Sequence, residues 1–124
     1  MDIYTEIILD YFKNPRNKGK LEDANLDAVE HNPICGDIIK IYLKTKDGKV
    51  EKATFEGQGC AISQASTSML TEKLIGKTLE EVKEFENDEV YKMLGVDISP
   101  ARVKCALLGL VCAKSASSNQ KDDA

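Results

Sequence analysis

Asp37-Ile38-Ile39-Lys40-Ile41-Tyr42-Leu43-Lys44-Thr45-Lys46-Asp47-Gly48-Lys49 is the stretch that decides the fold. Period-two alternation puts Ile39, Ile41 and Leu43 on one face of a strand over 37–44 and Lys40, Tyr42 and Lys44 on the other. Lys46-Asp47-Gly48-Lys49 carries the Asp-Gly dipeptide of a tight hairpin, because both central positions of such a turn favour positive φ. Residues 50–56 then return, with Ala53 and Phe55 on the core side. Residues 26–31 alternate more weakly and read as a further strand. The spacing predicts a small three-stranded antiparallel sheet with one wet face.

Outside this sheet the period becomes helical. Residues 2–13 form an amphipathic pattern, with Ile3, Ile7 and Tyr11 on one stripe and Tyr4, Ile8 and Phe12 beside it. Asp2 suits its cap, and Asn14-Pro15 ends it, since the residue before proline avoids helical dihedrals. Pro15 to Asn25 is a polar connection whose cations, Lys13, Arg16, Lys18 and Lys20, read as solvated or as a docking edge. Residues 61–75 carry Ile62, Ala65, Met69 and Leu70, and Gly76 stops them. The small residues Ala61, Ser63, Ala65, Ser66 and Ser68 would let this helix lie close against the sheet. Thr78-Leu79-Glu80-Glu81 is a capping box. Asn87 or Asp88 starts another helix that Gly95 ends, and Ser99-Pro100 opens a last one to about residue 115. Residues 115–124 read as a polar, frayed tail. Strands first and helices after argue for an α+β fold, the sheet packed against about four to five helices.

With 124 residues the chain is long enough for one core and too short for two, so 1–124 reads as one domain. The formal charge of −4, with lysines and glutamates interleaved, argues against a nucleic-acid face. No apolar run approaches the roughly 20 residues of a membrane span. The start, Met1 to Glu6, lacks the basic lead of a secretory signal, so the expected location is cytoplasmic. In a reducing compartment four cysteines point to metal or redox chemistry rather than to disulfides. Cys105 and Cys112 on one helix would stand about 10.5 Å apart along its axis, beyond the roughly 7 Å between Cα atoms that a disulfide spans.

Three thiols sit in distinct settings: Asn32-Pro33-Ile34-Cys35-Gly36-Asp37, Gly57-Gln58-Gly59-Cys60-Ala61, and Pro100-Ala101-Arg102-Val103-Lys104-Cys105. Cys60 falls where a strand becomes a helix, and N–H groups at a helix start favour a thiolate. Gly57 and Gly59 leave room for a metal or sulfur atom. Arg102 and Lys104 bring positive charge near Cys105. Read alone, each cysteine also fits a small buried hydrophobe, and Cys112, amid Leu108, Leu110 and Val111, fits that best. Asp37 alone also fits a turn carboxylate, and His31 a half-exposed strand end. Three thiolates and a carboxylate make four ligands, enough for tetrahedral zinc or one face of an iron–sulfur cluster, and spacing does not choose between them.

Cys35-Gly36-Asp37, the Gly57-x-Gly59-Cys60-Ala61-Ile62-Ser63 run, Lys104-Cys105 and the opening Tyr11-Phe12-x-Asn14-Pro15-Arg16-Asn17 resemble the U-type iron–sulfur assembly scaffolds: IscU, SufU and the N-terminal domain of NifU. The resemblance covers nearly the whole chain. It implies the SufE/NifU-like fold and a scaffold, not an enzyme, that builds a [2Fe–2S] cluster. Sulfur would come as persulfide from a cysteine desulfurase, and the cluster would leave to iron–sulfur acceptor proteins. By the same resemblance Cys35, Asp37, Cys60 and Cys105 would be the ligands, with Gly36, Gly59 and Lys104 around them. Cys105, expected on an exposed helix face, is the thiol favoured as persulfide acceptor. A homodimer would let a second protomer complete the cluster.

The resemblance is mixed. Lys104 stands where IscU has a histidine, and a protonated lysine cannot coordinate metal. Pro100 to Lys104 also departs from the Leu-Pro-Pro-Val-Lys run by which IscU engages its chaperone. Both features resemble SufU, a zinc-dependent sulfur acceptor, so zinc in the same site and sulfurtransfer form the alternative. SufU has an extra segment between its second and third cysteines, and this chain lacks it.

Overall fold

The computed structural model describes residues 3–33 and 36–118, apart from the side chains of Ile3 and Tyr4. The elements run α1 (Ile3–Lys13), β1 (Leu26–Asn32), β2 (Asp37–Lys46), β3 (Lys49–Gln58), α2 (Ala61–Leu74), α3 (Leu79–Glu84), α4 (Asn87–Leu94) and α5 (Val103–Ser118). The three strands pair antiparallel in the order β1-β2-β3. This is the α+β architecture that the sequence predicts, with five helices among the described residues.

Alternation along β2 buries Ile39, Ile41 and Leu43 completely, and Ala53 and Phe55 meet them from β3. Each of the larger side chains, Ile39, Ile41, Leu43 and Phe55, contributes about 1.5–3 kcal/mol when taken from water. The opposite face is wet at its margins, but Tyr42 is buried there, donating its hydroxyl to Glu56 beneath Lys40, whose Nζ lies 4.9 Å from the ring centre. The Glu56 carboxylate and burial push the Tyr42 hydroxyl up to about 12. Asp47 and Gly48 both take positive φ, as the tight turn requires.

Helix α5 lies across β1 and β2, while α2 lies between β3, α5 and α1. The small residues of α2 therefore serve its helix neighbours as much as the sheet. Ser66 Oγ donates to Ala106 O of α5 at 2.7 Å, and Ser68 Oγ donates to Arg16 O at 3.0 Å while accepting Arg16 N–H at 2.7 Å. A Cβ at Gly109 would stand 2.5 Å from Thr67 Oγ1, so glycine sets how closely α5 approaches α2. Arg16 is not simply solvated: it pairs with Asp10 at 2.7 Å and stacks 4.0 Å over Tyr11. The connection after it pairs Lys18 with Phe55 at the free edge of β3.

Several boundaries differ from expectation for local reasons. In α1 the buried contacts come from Ile8 and partly from Tyr11, whereas Ile7 and Phe12 are 38% and 41% exposed, because only one side of the helix meets α2. Asp2, the expected cap, lies outside the described residues. The Thr78 capping box forms as expected. Helix α4 is preceded by Glu86, whose N–H is taken by the Glu89 carboxylate at 3.0 Å, and Gly95 closes it with φ 72°. Pro100–Arg102 is a 3-10 turn, so the α-helix proper starts at Val103. It also continues past residue 115, where Ser115 Oγ donates to Glu30 at 2.9 Å and Ala116 and Ser117 are buried. Residues 119–124 of the expected tail lie outside the described residues.

Cys112 is a core residue, as its neighbours implied. Its thiol faces Ala28 O at 3.1 Å and Ile39 O at 3.4 Å, and burial pushes its pKa up to about 12. In the unfolded chain the thiol ionises near pH 9.0, whereas the native state keeps the proton. Its contribution to stability is therefore complete below pH 9.0 and lost as pH rises toward about 12. Urea titrations across that window should show a decline beginning near pH 9 in the parent, and a later onset in Cys112→Ala. Gly109→Val should cost about 1–3 kcal/mol by overpacking the α2–α5 contact. Val111→Ala, at a side chain 48% exposed, should stay within about 0.5 kcal/mol of the parent in the same measurement.

Candidate metal centre

The centre is built from the end of the sheet and the starts of two helices. Asp37 opens β2 and faces Asn32 across the β1–β2 ladder. The chain between them closes with Gly36 N–H donating to Asn32 O at 2.7 Å, and Gly36 takes φ 74°, which favours glycine. Cys35, expected to join the centre, lies outside the described residues. Cys60 follows β3 as the residue before α2, with extended φ −72° and ψ 166°. Cys105 stands in the first turn of α5.

These segments, distant in sequence, converge. One Asp37 carboxylate oxygen and the sulfurs of Cys60 and Cys105 all lie within 4.8 Å of one another. Among the described residues they are the Cys, Asp, Glu and His side chains that gather in this way. Asp37 is 2% exposed. Its Oδ1 accepts Cys60 N–H at 3.3 Å, and its Oδ2 accepts the Cys60 thiol at 3.7 Å. Ser63 Oγ donates back to Cys60 O at 3.1 Å, which fixes the start of α2. The carboxylate thus occupies the positive end of the helix, where an anion is favoured.

The two glycines before Cys60 have different tasks. A Cβ on Gly59 would stand 2.6 Å from the Asp37 carboxylate and 2.8 Å from Ser63 Oγ, so this glycine admits Asp37 to Cys60. Gly57 has φ 149°, and a Cβ there would meet Ile38 O at 2.1 Å. Its bareness serves the β2–β3 pairing rather than access to the centre. An open cavity of about 650 Å³ adjoins the thiols, lined by Gly36, Asp37, Gln58, Gly59, Cys60, Ala101 and Arg102.

Two expectations change. Cys105 does not lie on an exposed helix face: it is 0% exposed, because that side of α5 turns in against the sheet and α2. Half-buried Cys60 is the described thiol that reaches the cavity. Lys104 is exposed and lines a second groove of about 340 Å³ with Glu30, His31, Asn32, Pro33, Leu107, Leu108 and Val111, whereas Arg102 is the cation on the centre's cavity. His31, also on that groove, is exposed and is not part of the converging group. Sequence reasoning passed over Asn32 as a site residue. It is buried, and its Nδ2 donates to Cys105 Sγ at 3.7 Å. Its signal was its place beside Pro33 at the end of a strand whose partner begins with Asp37.

The donor set suits a soft or borderline metal. Two thiolates on one tetrahedral ion at the usual zinc–sulfur length stand about 3.8 Å apart, within the 4.8 Å that bounds the separations here. The carboxylate adds a harder donor beside them.

The family described as "NifU-like N terminal domain" matches residues 3–122. Two iron–sulfur cluster assembly scaffold proteins of Archaeoglobus fulgidus, IscU 1 and IscU 2, are each 44% identical over 75% of this chain, and the chain spans 61% of their length. The Thermotoga maritima scaffold protein IscU is 40% identical, with 92% of each chain covered. The zinc-dependent sulfurtransferase SufU of Bacillus subtilis is 39% identical over 86% of this chain and 83% of its own. Among solved structures, a putative cluster assembly scaffold protein for the SUF system of Fervidobacterium islandicum superposes with a TM-score of 0.79 at 33% identity, covering 90% of this chain and 94% of that one. No described helix is long and apolar enough to cross a membrane. A fold, a converging Asp-Cys-Cys group and a match across nearly the whole chain agree, and the chain belongs to the NifU-like N-terminal domain family.

Proposed function

We propose that this protein is a cytoplasmic scaffold on which a [2Fe–2S] cluster is assembled and from which it is handed to acceptor proteins, without turnover of its own. The observation that carries this reading is the convergence of Asp37, Cys60 and Cys105 within 4.8 Å beside an open cavity. Cys35, two residues before Asp37 in sequence, would supply the remaining thiolate. The close spacing suits the first metal ion, and the cavity gives space for a second iron and the bridging sulfides. The cluster is cargo here, so the ligand set must also release it. Three soft thiolates hold it, and one harder carboxylate is the weaker attachment.

Sulfur would arrive as persulfide from a cysteine desulfurase through the cavity where Cys60 and Arg102 are accessible. Delivery to Cys105 would require the wall at Ala101 and Arg102 to move, since that thiol is buried. A homodimer sharing the cluster is consistent with a pocket that gathers few ligands from one chain. The second reading is zinc-dependent sulfur transfer. It is favoured by the likeness to SufU of Bacillus subtilis and by three donor atoms close enough together to share one ion.

Anaerobic reconstitution with ferrous iron, cysteine and a desulfurase separates the two. The scaffold reading expects visible absorption and about two irons with matching sulfide per site. Zinc that resists exchange, with no cluster formed, would sink it. In the reconstituted protein Asp37→Ala should slow cluster loss to an acceptor or chelator several-fold, followed by the decay of visible absorption. Faster loss than in the parent would remove the release role from Asp37.

A further inference from the structure

Cys60 and Cys105, the two described thiols of the centre, each meet a side chain of opposite hydrogen-bonding kind. Cys60 meets a carboxylate, Asp37, which can only accept when ionised, so the Cys60 thiol is the donor in that pair. Cys105 meets the carboxamide of Asn32, whose Nδ2 donates to its sulfur at 3.7 Å. Asn32 is 4% exposed, and Cys105 is 0% exposed. Asn32 and Asp37 are cross-strand partners, so one rung of the β1–β2 ladder presents a donor to one thiol and an acceptor to the other.

We propose that Asn32 is a positioning residue for the metal centre, donating an N–H···S bond to the Cys105 thiolate in the metal-bound state. The inference rests on the reading of Asp37, Cys60 and Cys105 as metal ligands. A neutral amide suits the task. It stabilises charge on sulfur without a proton to lose, and a buried N–H without an acceptor would be costly. Lys104, adjacent to Cys105 in sequence, is exposed and lines a groove that Asn32 also borders, whereas the Asn32 amide itself reaches the buried sulfur. A hydrogen bond to a ligating sulfur draws electron density from it, which raises the energy of sulfur-to-metal charge transfer and shifts the reduction potential of a bound cluster. It also holds the sulfur in its coordinating direction.

Cobalt(II) added to the full chain without air tests this, because thiolate–cobalt charge-transfer bands report each sulfur's donor strength whether the natural cargo is a cluster or zinc. Asn32→Leu keeps similar bulk and removes the donor. It is expected to move the charge-transfer band to longer wavelength and to weaken cobalt binding roughly 10- to 100-fold, the usual cost of losing a partner to a metal ligand. An unmoved band would overturn the proposal, even with weakened binding, since a merely structural role would change affinity alone. In parallel, the parent protein loaded with cadmium should show one Asn32 side-chain amide proton shifted downfield in the NMR spectrum. If Asn32→Leu fails to fold, this measurement decides, and an unshifted amide would refute the bond. Absence of any thiolate–cobalt band in the parent would defeat the metal-site reading itself, and with it this inference.

Discussion

Much of the centre depends on one buried carboxylate. Asp37, 2% exposed, accepts the N–H of Cys60 and faces its thiol, tying the end of β2 to the start of α2. A carboxylate away from water is costly unless its oxygens are engaged, and here the Cys60 N–H and thiol meet them at the start of α2. The arrangement demands that no side chain stand at Gly59. It also demands that the β2–β3 register hold to the last residues of β3, where a bare Gly57 lets Ile38 O approach. Asp37, Gly57 and Gly59 are therefore parts of one constraint.

The sheet and α5 supply the rest. Cys105 reaches Asp37 and Cys60 only because α5 lies across β1 and β2 and touches α2 closely at Gly109 and Thr67. Ser66, with its bond to Ala106 O, ties α2 to α5 one turn from the thiols. Packing of this kind is stiff, so the position of buried Cys105 is set by the core rather than by its own segment. That rigidity coexists with an open side, where Gln58, Ala101 and Arg102 border the cavity. A centre with one fixed wall and one open side suits cargo that must be both held and released.

Much of the architecture was legible in the sequence. The alternation of Asp37 to Lys44, the Asp47-Gly48 turn and the Thr78 capping box each became the expected element, because each depends on neighbours within a few residues. Burial of Cys112 was legible for the same reason. The exposure of Ile7 and Phe12 was not, since helical period defines faces but not which face meets α2. Nor was the inward turn of Cys105, which follows from how α5 is rotated about its axis, or the divergence of Lys104 on α5 and Arg102 in the preceding 3-10 turn onto different cavities.

By itself the sequence determined the kinds of donors available, three candidate thiols in separate settings and a carboxylate after Cys35-Gly36, and with its motifs the family to which they belong. Ligand chemistry is a property of residue type, so it can be read without coordinates. Tertiary structure decided that Asp37, Cys60 and Cys105 meet within 4.8 Å, that Cys60 is accessible and Cys105 is not, and that Asn32 joins them. Those outcomes depend on sheet register and helix rotation, which are settled by the packing of the whole core and by no segment alone.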